Sequence, residues 1–245
     1  MAEFKIPTET VELPSKGLLY PKDSPLAEGK IELKYMTAKE EDILTNQNYI
    51  RQGIVIDKLL QSLIVTKINY NDLLVGDKNA IMIAARILSY GAKYNFVYDG
   101  TEQEIDLSTI DNNPLHSDVS SAESNLFTYT LPHSGNVITF KLLTHGDEGI
   151  IENELKGLKK LNKDGASDVT VRLAHMITSI NGSEDKKDIR EFVNNYFLAK
   201  DAREFRKYYQ SISPDVNLTV TLVNSDGDEE DTSLPIGLNF FWPDA

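Results

Sequence analysis

The stretch from Lys30 to Ile43, KIELKYMTAKEEDI, constrains the fold most, because a strand pattern gives way to a helix pattern inside it. Ile31, Leu33 and Tyr35 alternate with Glu32 and Lys34, the period of a half-buried strand. Thr37 followed three residues later by Glu40 is the spacing of a capping box. In that arrangement the threonine hydroxyl and the glutamate carboxylate satisfy each other's backbone amides at the start of a helix. The spacing predicts a strand that ends near Tyr35 and a helix that opens at Thr37. The signal recurs at Ile138 to Ile150, ITFKLLTHGDEGI, where Thr144, Asp147 and Lys141 take the places of Thr37, Glu40 and Lys34.

The segments around these two junctions follow one order. The run Ile54 to Ile64 carries Ile56, Leu59, Leu60, Leu63 and Ile64 at helical spacing. Asn71 and Asp77 are candidate caps, and Asp77 to Tyr90 is an amphipathic helix that Gly91 can end. Lys93 to Tyr98 reads as a strand, Asp99-Gly100 as a hairpin turn, and Glu102 to Leu107 as the return strand. After the second junction, helices are expected over Asp147 to Leu161, Ser167 to Ile180 and Lys186 to Tyr209, the last breaking near Ala199 to Asp201. Val216 to Val223 is a strand, and NSDGDEED, Asn224 to Asp231, is a hairpin tip.

These elements predict an α+β fold of two pseudo-repeated halves, each a strand, capped helices and then a β-hairpin. Residues 1–29, punctuated by Pro7, Pro14, Pro21 and Pro25, form an extended N-terminal arm. The first half covers 30–107, the Ser-, Asn- and Asp-rich stretch 108–125 is a linker, and the second half covers 126–245. The separation of Thr37 from Thr144 exceeds any solenoid period and suits a duplicated domain. Coincidence of two common capping boxes is the competing explanation.

Composition removes several classes of function. The 245 residues carry a net charge of −13, which speaks against nucleic-acid or anionic-membrane binding. Cysteine is absent, so disulfides, thiol catalysis and cysteine-based metal sites are excluded. No apolar run approaches the ~20 residues of a membrane span, and the N-terminus lacks the pattern of a signal peptide. The expectation is a soluble protein assembled in the cytoplasm.

Motifs for chemistry are weak. His145, Asp147 and Glu148 cluster in HGDE, but Glu148, three residues along, gives His145 only a second helical ligand, and acids at a helix start complement the macrodipole. NSDGDEED lacks a glycine at the sixth loop position and the distant bidentate glutamate of a calcium loop, so a solvated turn is the better reading. His116, His133 and His175 have no evident partners, and no GxSxG elbow or phosphate loop is present. No catalytic, cofactor-binding or metal-ligating residue is assigned. The remaining candidates are apolar residues near the termini: Leu13, Leu18, Leu19 and Tyr20 in one Pro-bounded segment, and Phe240, Phe241 and Trp242 in another. Such residues anchor interfaces. They serve equally well to close a protein's own core.

Six segments carry a family likeness: LPSKG, IELKYMTAKEEDIL, LLVGDKNAIMIAARILSYG, FTYTLPHSGNVITFKLLTHGDE, DAREFRKYY with its following proline, and LPIGLNFFWP. In order and over nearly the whole chain, they resemble the T4-type tailed-phage baseplate family of hub subunits and hub assembly proteins. The resemblance implies a structural subunit of a contractile-tail baseplate, present in the virion and assembled in the host cytoplasm. Its partners would be other baseplate hub or wedge proteins, with self-association left open. A non-structural assembly chaperone is the alternative, and a hydrolytic hub enzyme a more distant one. Some members of the family carry paired cysteines in their hairpins, like small zinc ribbons. YDGTEQE and NSDGDEED have none, so turn chemistry must do that work here.

Overall fold

The computed structural model describes residues 5–161 and 168–241. Its N-terminal arm is extended, as expected, and is built into a sheet: β1 (Thr8–Glu12) pairs antiparallel with β2 (Lys30–Lys34), Val11 opposite Ile31 and Thr10 opposite Glu32. Between them the LPSKG turn locks against the end of a short 3-10 turn. Leu13 N–H donates to Gly29 O at 2.8 Å, and a β-carbon on Gly17 (φ +78°) would lie 2.4 Å from Ala27 O. Glycine is therefore required at Gly17 twice over, by its left-handed backbone and by the approach of a neighbouring chain segment.

Four helices follow: α1 (Ala38–Leu44), α2 (Gln47–Gln52), α3 (Val55–Leu63) and α4 (Val75–Tyr90). Of the expected stripe of α3, Leu59, Leu60 and Leu63 are buried together with Val55, and Ile56 and Ile64 are half-buried. Helix α4 begins two residues earlier than Asp77, with Leu74 at the N-cap and no side-chain cap. Neither expected cap acts as one for α4. Asp77 is buried and committed to Ser15 and Tyr20, while Asn69, not Asn71, caps the 3-10 turn Tyr70–Asp72. Beyond Gly91 the hairpin of β3 (Lys93–Tyr98) and β4 (Thr101–Asp106) turns at Asp99 and Gly100, both with positive φ, as the Asp-Gly pair predicts.

The stretch 108–125 includes the short helix α5 (Ser117–Ser120), with Val119 buried beneath it. Asn113 N–H donates to Asp215 O and Asn217 N–H to Asp111 O, both at 2.8 Å. Asn125 holds the backbone of Leu142 through both its amide groups. A three-stranded antiparallel sheet then forms in the order β5 (Phe127–Thr130), β6 (Val137–Phe140), β7 (Ile177–Ile180).

Strand β7 corrects the helix expected to run to Ile180. Helix α7 (Asp168–Met176) stops at Met176, and the β-branched Ile177 and Thr178 enter the sheet, where Ile177 and Ile180 are buried against β6. Ahead of α7 lies α6 (His145–Leu161). Helix α8 (Lys186–Glu191) continues into a π turn over Phe192–Tyr196 and breaks at Phe197 and Leu198, just before α9 (Ala199–Ile212). The chain closes with the hairpin β8 (Thr219–Val223) and β9 (Glu229–Ser233) and a 3-10 turn, Leu238–Phe241.

One continuous core runs from Leu13 to Phe241 through both junctions. Its aromatic centre is Phe140, 4.9 Å from Phe205 and 5.6 Å from Phe127 between ring centroids. The two hairpins that close the expected halves lie side by side. Gln103 exchanges hydrogen bonds with the backbone of Val223, and the Asp99 carboxylate accepts from Ser225 N–H and Oγ–H at 2.9 and 2.6 Å.

Candidate functional site

The two strand-to-helix junctions share a local arrangement. At the first, the Glu40 carboxylate is fully buried and accepts from the Thr37 amide (3.0 Å), the Thr37 hydroxyl (2.6 Å), Lys34 Nζ (2.7 Å) and Ser62 Oγ (2.8 Å). At the second, Asp147 accepts from the Thr144 amide (3.1 Å) and hydroxyl (3.0 Å) and from Lys141 Nζ (2.7 Å). The echoed lysine thus closes on the echoed acid in both places. Their settings differ, since β2 lies in a two-stranded sheet and β6 at the centre of a three-stranded one.

Burial alone would raise the Glu40 carboxyl, but the bonds from Lys34, Thr37 and Ser62 prevail and bring it down to about 2. Because this folded value lies below that of an unfolded glutamate, the stabilisation is complete above pH ~4.5 and is lost as pH falls toward 2. Urea unfolding of the protein and of Glu40→Gln should therefore give a stability gap that is widest at pH 5 and shrinks as the pH is lowered. A gap independent of pH would show that Glu40 is not charged and paired in the folded state. Other carboxylates cancel in the comparison.

The second junction meets the segment before α4 at a polar cluster that local sequence did not reveal. His145 N–H donates to Leu73 O at 2.7 Å, Thr144 bridges Leu74, and a β-carbon on Gly146 would stand 3.0 Å from Asn71 O. This contact delivers the His145 ring to residues of α3, α4 and the 3-10 turn between them. Its Nδ1 lies 3.3 Å from Lys78 Nζ and its Nε2 3.7 Å from Asp57, and the ring meets Tyr70 edge-on at 4.7 Å. Asp57 also pairs with Lys78 at 2.5 Å and accepts from the Tyr70 hydroxyl at 3.0 Å.

Burial, reinforced by the Lys78 charge, pushes the imidazole below its ordinary value, so neutral His145 accepts at Nδ1 from the ammonium. The Tyr70 hydroxyl is pushed up by burial and by Asp57, which keeps it protonated and donating. Every member of the cluster is therefore occupied by another, which fits a rivet between chain segments. His145 is no incidental helix-start histidine. Its partners Asp57 and Lys78 come from α3 and α4, beyond the reach of any local motif.

Beside this joint is a cleft of about 270 Å³, its walls including Leu74, Gly76, Leu142, Met176 and Tyr209. Glu148 at its rim takes both oxygens to Arg172 Nη1, at 2.7 and 2.8 Å. The acids of HGDE are thereby assigned: Asp147 to the helix cap and Glu148 to an ion pair. The remaining histidines also have partners. His175 meets Glu154 at 2.8 Å and His116 Nδ1 accepts from Asp118 N–H, while His133 is held through its backbone amide, which donates to Asp201 at 2.8 Å. Among the described residues no group of three or more His, Asp or Glu is placed to hold a metal ion, and no helix is long and apolar enough to cross a membrane. NSDGDEED is a hairpin tip, with Asn224 Oδ1 accepting from the amides of Asp226 and Asp228.

The terminal apolar residues divide. Leu13, Leu19, Tyr20, Phe240 and Phe241 are buried in the protein's own core, with Phe240 against Tyr94 at 5.0 Å and Phe241 at 5.2 Å. Leu18 is 41% exposed, and Trp242 lies outside the described residues. Among the described apolar candidates of the two segments, Leu18 alone is exposed. The burial has a physical cause: each aromatic of the closing turn finds a ring already packed on β3 or in the turn itself, and Tyr20 finds Asp77.

A family model described as T4 bacteriophage base plate protein matches residues 6–242. Neither the curated proteins nor the solved structures compared with the chain gave a match.

Proposed function

Because the chain belongs to the T4 bacteriophage base plate protein family, we propose that it is a structural subunit of the hub region of a contractile-tail baseplate, holding neighbouring baseplate proteins in place. Membership places it in the phage tail baseplate, within the virion. The observation that carries the structural role is the extent of the match, which takes in both junctions, the polar cluster at His145 and the hairpins. The geometry supports it: Asp57 is engaged by Lys78 and Tyr70, Asp147 by Lys141 and Glu148 by Arg172, so these acids tie elements of the fold together.

Docking on neighbouring hub or wedge proteins is assigned to surface around the N-terminal turn, where Leu18 stands out from a turn otherwise buried through Leu19 and Tyr20. Leu18→Glu places a charge there at little cost to the fold, within about 0.5 kcal/mol for a surface position. In particles assembled with this variant, incorporation should fall by about tenfold or more, the equivalent of 1.4 kcal/mol at the contact, while the purified chain melts as before. Normal incorporation of the variant would remove Leu18 from the docking surface.

A further inference from the structure

Helix α9 reverses the charge of the molecule locally. Lys200, Arg203, Arg206 and Lys207 are all exposed, on the side opposite the buried Ala202, Phe205 and Ile212. Lys207 pairs with Glu204 at 3.0 Å, and among the described residues no ion pair reaches Lys200, Arg203 or Arg206. Immediately before the helix, Tyr196 is 62% and Leu198 50% exposed. Unpaired cations beside an exposed aromatic and a leucine make a surface suited to an acidic partner that also brings apolar side chains.

The same chain carries the complement elsewhere. Asp226, Asp228, Glu229, Glu230 and Asp231 are exposed on the β8–β9 hairpin. Lys93, the sole lysine or arginine in the strands β3, β4, β8 and β9, is tied to Glu104 at 2.9 Å. Val97 and Val223 stand exposed among these carboxylates.

We propose that α9 of one copy takes the β8–β9 hairpin of a second copy in a head-to-tail contact. Neighbouring cations along a helix face lie about 5–6 Å apart, and alternate residues of a strand about 6.6–6.8 Å apart, close enough for two adjacent pairs to form at once. Two α9 faces, or two hairpins, would instead oppose like charges. Isolated surface ion pairs contribute little, so the row of charges and the apolar residues beside it must act together. The patches are different surfaces of one chain, so each copy can engage at both ends, closing a ring or extending a chain. As whole bodies, copies at −13 repel, but at ~0.1 M salt the Debye length of about 10 Å screens that repulsion and leaves touching pairs attractive. The inference goes beyond the baseplate reading and does not depend on it.

Sedimentation equilibrium of the full chain, at concentrations up to about 1 mM, provides the test. At ~0.1 M salt the mass should rise above 27.5 kDa with concentration, and at ~1 M salt it should return to the monomer. Arg203→Glu with Arg206→Glu, and separately Asp228→Lys with Glu229→Lys, should each give a monomer. Mixed together they should associate, because each retains the patch the other lost. A wild-type monomer throughout, association indifferent to both variants, or a mixture that does not pair would overturn the proposal. If either variant fails to fold by circular dichroism, Lys200→Glu and Asp226→Lys serve as replacements.

Discussion

Asp77→Ala should destabilise the protein by about 3–5 kcal/mol, the cost of leaving buried donors without their charged acceptor. The Asp77 carboxylate is buried in the first turn of α4 and accepts from Ser15 N–H (2.9 Å), Ser15 Oγ (2.6 Å) and the Tyr20 hydroxyl (2.6 Å). Tyr20 in turn accepts from Leu74 N–H at 2.9 Å, so one carboxylate fixes the N-terminal turn onto the start of α4. Burial pushes the Asp77 carboxyl up despite these bonds. Asp77→Asn keeps one acceptor and offers an amide to hydroxyls that can rotate, and should lose less than half as much. Chemical denaturation of the two variants gives the comparison. Equal losses would show that the charge, and not the number of acceptors, holds the turn.

Gly76→Ala should be nearly as damaging, at about 3 kcal/mol, although alanine is the better helix former by ~1 kcal/mol. A β-carbon at Gly76 would lie 1.8 Å from Pro214 O and 2.8 Å from Asp215 Cα. These are backbone atoms, which cannot swing aside, and the same segment is held by Asn79 donating to Asp215 at 3.1 and 3.2 Å. Relief of the clash therefore requires α4 and residues 214–215 to separate. Gly157→Ala is the matched control. Gly157 is exposed within α6 with nothing within 4 Å of an added β-carbon, so that change should stabilise by about 0.5–1 kcal/mol. Thermal melts showing the same sign for both substitutions would contradict the close approach at Gly76.

What could be read from the sequence was what neighbouring residues decide together. The Asp99-Gly100 turn and the capping boxes at Thr37 and Thr144 each complete themselves within a few residues, and all three form. The start of α4 could not be read that way. Asp77 has the chemistry of an N-cap, but partners 62 and 57 residues earlier claim it. Strand β7 was hidden because Ile177 and Ile180, three apart, fit a helix as well as a strand, and pairing with β6 decides between them.

The candidate site was less legible than the fold. HGDE showed a histidine beside two acids, yet the residues that give His145 its role, Asp57, Tyr70 and Lys78, reach it only once the chain is folded. Phe240 and Phe241 could be recognised as anchors from their size alone. Whether they anchored a partner or their own core depended on Tyr94, more than a hundred residues away. Both are buried in the chain's own core, while Leu18 and the charged rows of α9 and β8–β9 are exposed.

Quantitative mass spectrometry of purified, tail-complete particles tests the structural role most directly. A baseplate subunit should appear at one fixed ratio to the other baseplate proteins, unchanged by washing in high salt. Absence from finished particles, in a phage whose baseplates nevertheless fail to form without this chain, would contradict that role and identify an assembly chaperone instead.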